Sequence, residues 1–305
     1  MVSVFKLSPK SHKIYPISRD TVERVIGRKA PWFSEGKTRD DHRVFAIFPY
    51  CNNAIQMIGL YRGKGAQRPY GRHLAHQHFA FAPHNPAELA FCPYADPSNR
   101  RGSTDRRGST ASAAALALLR LEFDRIVFTL NRDTGVDISL KQAAALLNAF
   151  LQNEGWSYRD AHLRNMPWMV IYQGRNLDLF GLRVRDGAMR TSISTRNPAA
   201  VFTSDDRLQS QKDDAGRSVF IRFELQFLYH RQVIGTDHQL RESLTLRVLD
   251  YSGEAMGDDA SCFERTFQLD FDRFERLIAT PTDRARRNAA LLEIARRLIP
   301  QEIVR

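Results

Sequence analysis

Cysteine is scarce in this 305-residue chain, with three in all. An odd number this small excludes a disulfide framework and leaves the thiols for metal binding or plain burial. Long apolar runs are also missing. The longest, ASAAALALLRLEF, is cut by Arg120 and falls short of the roughly 20 residues that cross a bilayer. The N-terminus MVSVFKLSPKSHK carries lysines but has no apolar stretch or small-residue cleavage site of a secretory signal. A cytoplasmic location and no membrane partner are therefore expected. A phosphate-binding P-loop is absent: in GLYRGKGA three residues separate Gly59 from Gly63, and Gly65 follows Lys64 where Ser or Thr is required. There is no G-x-S-x-G elbow, and Cys262 lies in an expected strand with no nearby histidine, so Ser- and Cys-hydrolase readings have no support. Acidic residues are in deficit, with 34 Asp+Glu against 45 Lys+Arg, a net charge of +11. That places polyanions first among the expected ligands.

The excess charge is segregated. Residues 1–125 hold 20 Lys+Arg against 10 Asp+Glu, whereas residues 126–305 hold 25 against 24. That division points to a polyanion-binding face on an N-terminal module. Beyond the first 40 residues of this part arginine dominates, and its planar fork grips phosphate and stacks on bases, which favours nucleic acid as the partner.

The expected fold class is α+β. A basic module occupies residues 1–97: a short helix from Ser18 to Lys29, a hairpin of Val44–Phe48 and AIQMIGLY with Cys51 near its bend, and a loop from Gly63 to His84. A short helix then starts at Asn85-Pro86 and leads to Cys92. Residues 98–110, with the repeated RRGST, read as a flexible basic linker. Residues 111–160 form a helical connector, Ala111–Phe123 packing on a helix that Ser139 and Gln142 cap and Gly155 stops. Residues 161–305 read as a largely antiparallel sheet of six strands, WMVIY, NLDLFGLRV, AMRTSIS, SVFIRFELQFLYH, ESLTLRVLDY and CFERTFQLDF. A terminal helix in DRARRNAALLEIARRLI lies on that sheet.

Cys51, His73, His76, His78, His84 and Cys92 fall within 42 residues. Zinc takes four tetrahedral thiolate and imidazole ligands, and a closed all-protein set is structural. The most economical set is Cys51, His73, His76 and Cys92, with His78 replacing His76 if that stretch is extended. Four metal bonds would give cohesion to a Gly-, Pro- and Arg-rich loop that has little apolar material. The segment FPYCNNAIQMIGLY…RPYGRHLAHQ…FCPYADP, within residues 43–97, resembles a block of uncharacterised bacterial proteins found with mobile elements or defence loci. It also looks like the zinc-ribbon-type modules of competence-related and restriction-like proteins. The resemblance implies a DNA-linked bacterial role, antiviral defence among the options, and names no reaction.

Charge, arginine bias and the Cys/His cluster together indicate a non-enzymatic nucleic-acid-binding protein, with DNA ahead of RNA. Phosphate contacts are expected from Arg62, Lys64, Arg68, Arg72, Arg100, Arg101, Arg106 and Arg107, and base stacking from Tyr61, Tyr70 and Phe79. One alternative is a metal-dependent nuclease using Asp214, Glu224 and Gln226, since two acids near a strand can hold Mg²⁺. A second nuclease reading pairs the H-x-H of His76 and His78 with a nicking Tyr94. Another alternative is a protein-interaction subunit of a larger assembly.

Overall fold

The computed structural model describes residues 2–11, 13–36, 42–61, 68–74, 84–90, 92, 94–95, 109–158, 160–234, 240–253, 257–281 and 286–301. At the N-terminus β1 (Val4–Phe5) pairs with β2 (Tyr15–Pro16), and α1 (Arg19–Val25) starts where the Ser18 hydroxyl accepts the Thr21 N–H at 3.2 Å. A four-stranded antiparallel sheet comes next, in spatial order β3 (Phe33–Ser34), β4 (Arg43–Ile47), β5 (Ala54–Ile58), β6 (Tyr70–His73). The hairpin expected around Cys51 is present. Phe48 and Asn53 close its turn, and Asn52 takes φ 56°, a left-handed conformation that Asn tolerates. After α2 (Pro86–Ala90) come α3 (Ser109–Thr134), whose helical geometry breaks at Glu122, α4 (Leu140–Gln152) and α5 (Met166–Tyr172).

The second four-stranded sheet has the order β12-β11-β10-β7, all antiparallel: β7 (Leu177–Asp178), β10 (Phe223–Ile234), β11 (Leu240–Asp250) and β12 (Ser261–Gln268). Between β7 and β10 lie α6 (Gly187–Arg196) and the two-stranded pair β8 (Ala200–Phe202) and β9 (Leu208–Ser210); α7 (Phe271–Ala279) and α8 (Ala289–Leu298) close the chain. The chain is thus α+β with largely antiparallel sheets and a C-terminal helix.

Several local expectations are overturned. WMVIY is helical: Met166 to Ile171 are all buried, and a helix buried all round shows no 3.6-residue period to set it apart from a buried strand. AMRTSIS is helical as well, started by the Asp186 carboxylate on the Met189 N–H at 3.0 Å and burying only Met189 and Ile193. NLDLFGLRV contributes just the two residues of β7 and isolated bridges at Arg183 and Val184. Helix α3 runs beyond Phe123 to Thr134, and α8 packs on α3 and α4, where packing on the sheet was expected. The loop expected from Gly63 to His84 contains β6, and of the linker expected at 98–110 residues 98–108 lie outside the described residues, whereas Ser109 and Thr110 already belong to α3. One buried apolar cluster extends from Val2 to Ile299, through both sheets and the helices between them.

A bulge in β10 decides which of its side chains enter the interior. Phe223, Leu225 and Phe227 face the core, the register shifts between Leu228 and Arg231, and Tyr229 takes φ 52°. The extra residue inverts the alternation, so that His230 and Gln232 turn inward beyond it.

Candidate metal centre

Three elements meet at Cys51. The residue sits in the β4–β5 turn and is fully buried. Beside it the Asn53 side chain donates to the Cys51 and Asn85 carbonyls, both at 3.0 Å, and accepts the Asn85 N–H at 2.8 Å. Asn53 therefore staples the hairpin turn to the start of α2, whose own first turn is capped by Asn85 on the Glu88 N–H at 3.1 Å. A helix held there delivers Cys92 back to Cys51. His73 arrives from β6, opposite Ile55 in the register.

The resulting triangle has Cys51 Sγ 3.3 Å and Cys92 Sγ 3.7 Å from His73 Nε2, with all three ligand atoms within 4.8 Å of one another. Tetrahedral zinc with bonds of about 2.3 Å to sulfur and about 2.0–2.1 Å to nitrogen puts its ligands about 3.6 Å apart. The group thus lies within metal-binding distance, with a spacing that suits one small ion. Burial opposes ionisation of Cys51, but the Cys92 thiol donating to it and the His73 imidazole beside it hold it well below the ordinary thiol value. Cys92 is pushed well up, by burial and by its role as donor to Cys51. The asymmetry favours Cys51 over Cys92 as the thiol that gives up its proton first to a metal.

Of the four expected ligands, the structure brings Cys51, His73 and Cys92 together. His76 and its substitute His78 lie outside the described residues, and His84 is not part of the group. Asn53, which assembles the site, is a turn-type residue whose partner is 32 positions away, so nothing in its local pattern singled it out.

Among the expected phosphate contacts, Arg68 and Arg72 are exposed, and Arg72 approaches Gln56 at 3.5 Å; Arg62, Lys64, Arg100, Arg101, Arg106, Arg107 and Phe79 lie outside the described residues. The Tyr61 ring is already covered, with the Arg19 and Arg28 guanidiniums 5.6 and 5.9 Å from its centroid.

The proposed nuclease acids are not brought together. Asp214 is exposed in a turn, and neighbouring Asp213 pairs with Arg217 at 3.0 Å. Glu224 is taken by Arg222 at 2.6 Å and by Asn176 at 3.1 Å, and neither Asp214 nor Glu224 belongs to the metal-type cluster found among the described residues. Tyr94 is engaged too. Its hydroxyl accepts the Leu240 N–H at 3.0 Å, and burial pushes its pKa up to about 12.

A second polar centre was not anticipated. The fully buried Glu242 carboxylate accepts from His162 Nε2 (2.7 Å) and Gln232 (3.0 Å) on one oxygen, and from His230 Nε2 (2.7 Å) and Asn165 (2.8 Å) on the other. His162 Nδ1 accepts the Arg164 N–H at 3.2 Å, so its proton resides on Nε2, the tautomer that donates to Glu242. The donor pattern is that of a hydrogen-bond network, not of a metal site. No protein-family profile, curated protein or solved structure matches this chain.

Proposed function

We propose that the protein binds nucleic acid, DNA in the first instance, through an N-terminal module stabilised by zinc at Cys51, His73 and Cys92. The observation that carries this reading is the alternation along β6. Gly71 and His73 face inward, and Gly71 is so closely packed that a Cβ would lie 2.7 Å from Ile55 Cδ1. Tyr70 and Arg72 take the opposite face of the same strand, with Arg72 exposed and Tyr70 partly so. A single strand therefore anchors the metal on one side and offers a guanidinium and an aromatic ring on the other, the pair that grips phosphate and stacks on a base. Arg19, Arg24, Arg28, Arg43 and Arg68 are exposed on the same module, in keeping with the segregated charge.

Fluorescence anisotropy with labelled single-stranded and duplex DNA tests the reading. Affinity should fall steeply between low and high salt, and the Arg68→Glu, Arg72→Glu double variant should reduce the log–log salt slope by about 1.5–2, near 0.9 per lost duplex contact. Absent or salt-insensitive binding overturns the proposal. Elemental analysis should find stoichiometric zinc in the wild type and none in Cys51→Ser or Cys92→Ser; a metal-free wild type overturns that part.

A further inference from the structure

Three arginines converge on one open cleft far along the chain from the basic module. Arg132 at the end of α3, Arg185 before α6 and Arg265 on β12 border a space of about 460 Å³, together with Phe267 and Gln268. That size lies within the roughly 300–1,000 Å³ range of small-ligand sites. The rims approach closely because Gly135, at φ +74°, meets Asp186 where a Cβ would lie only 2.9 Å from the aspartate Cβ.

The acids nearby orient the arginines and are themselves satisfied. Arg132 forks onto both oxygens of Asp133, at 2.5 and 2.9 Å, and Trp168 Nε1 donates to the same carboxylate at 3.0 Å. Arg265 reaches Asp186 at 2.6 Å and the Asp133 carbonyl at 2.8 Å, while the other Asp186 oxygen caps α6. Arg185 is held by Asp137 at 3.0 Å and by the Asn131 carbonyl. These bonds use Nε and Nη2 of Arg132 and Arg185, and leave the Nη1 group of each without a protein partner among the described residues. Guanidiniums fixed in this way lose little freedom on meeting an anion, and their remaining N–H groups suit phosphate oxygens. Phe267, two residues along the strand from Arg265 and therefore on the same face, adds an apolar ring, and Gln268 an amide that both donates and accepts.

We propose that this cleft binds a mononucleotide, with its phosphate on Arg132, Arg185 and Arg265 and its base against Phe267 and Gln268. The inference is independent of nucleic-acid binding by the N-terminal module. Isothermal titration of the full chain with AMP, adenosine and inorganic phosphate tests it. AMP should bind about tenfold or more tightly than either fragment. Arg185→Gln, at a half-exposed side chain, and Phe267→Leu should each weaken AMP about tenfold while the chain stays folded by circular dichroism and DNA binding is unchanged. No heat with AMP up to about 1 mM, equal affinity for AMP and phosphate, or undiminished AMP binding in Arg185→Gln and Phe267→Leu would overturn the assignment.

Discussion

Glu242 is a fully buried carboxylate that accepts from four donors, two imidazoles and two amides. Burial alone would favour the protonated acid, but the His162 and His230 imidazoles outweigh it and hold the group well below the usual carboxylate range. A carboxylate depressed in the folded state contributes stability above its unfolded value of about 4.3, and that contribution is lost as pH falls below it. Glu242→Gln would replace the anion with an amide whose NH₂ faces donors. Chemical denaturation at neutral pH should show a loss of about 3–5 kcal/mol, and the variant should have a flatter stability profile than wild type between pH 5 and 3, roughly the window set by that unfolded value. An equally steep acid limb in both proteins would contradict that role for the carboxylate. Gly71→Ala is the steric counterpart. Its Cβ would meet Ile55 Cδ1 at 2.7 Å and Val2 Cβ at 3.2 Å, so overpacking should cost about 1–3 kcal/mol, read from the same denaturation curves. At this scale the sequence exposes Cys51, His73 and Cys92 because scarce residue types crowd into one stretch. It hides Glu242, whose histidines stand 80 and 12 positions away, the nearer of them turned inward only because a bulge inverts β10.

Helix α3 is an organiser because of its charges. Arg120 donates to the Arg296 and Ile299 carbonyls at the end of α8, at 3.0 and 2.8 Å, and Arg125 donates to those of Ile278 and Thr280 at the end of α7, at 2.9 and 2.8 Å. Guanidiniums at helix C-termini satisfy carbonyls that lack an intrahelical partner and complement the helix dipole. Asp124 does the converse, taking Arg287 at 2.8 Å and the Asn288 N–H at 3.0 Å just before α8. Along the sequence Arg120 merely interrupts an apolar run, since its partners lie more than 170 residues away. Arg125 is buried, so Arg125→Met strands two carbonyls out of reach of water and should cost about 2–6 kcal/mol at about 1–3 per group. Arg120→Met, at a half-buried site where water can reach the carbonyls, should cost about 1 kcal/mol or less. Equal losses in urea titrations would mean that solvent access does not set the difference. The element types that sequence failed to give, α5 and α6, fail for opposite reasons: one is apolar on every side, and the other has only two buried positions to set its period.

Across the whole molecule the charge is divided but the core is not. The basic excess belongs to residues 1–125, yet the buried apolar cluster passes from Val2 to Ile299 without interruption. Polar bonds cross the same boundary: Tyr94 accepts the Leu240 N–H, and Gln232 bridges Glu242 and the Tyr50 hydroxyl, the latter at 3.4 Å. Cys92 lies two residues before Tyr94, and Glu242 two residues after Leu240, so the proposed zinc centre is a few bonds from the buried carboxylate that anchors the second sheet. Removing that zinc with a chelator should therefore weaken the molecule as one unit. Scanning calorimetry should show a single transition before and after, with its midpoint lowered by roughly 5–15 °C, the shift expected for several kcal/mol in a chain of this size. Near-ultraviolet circular dichroism should track the same curve, since tyrosines of both parts report on it. An early, separate transition confined to the N-terminal module would show instead that the metal holds only its own loop, and that the shared core transmits none of its binding energy.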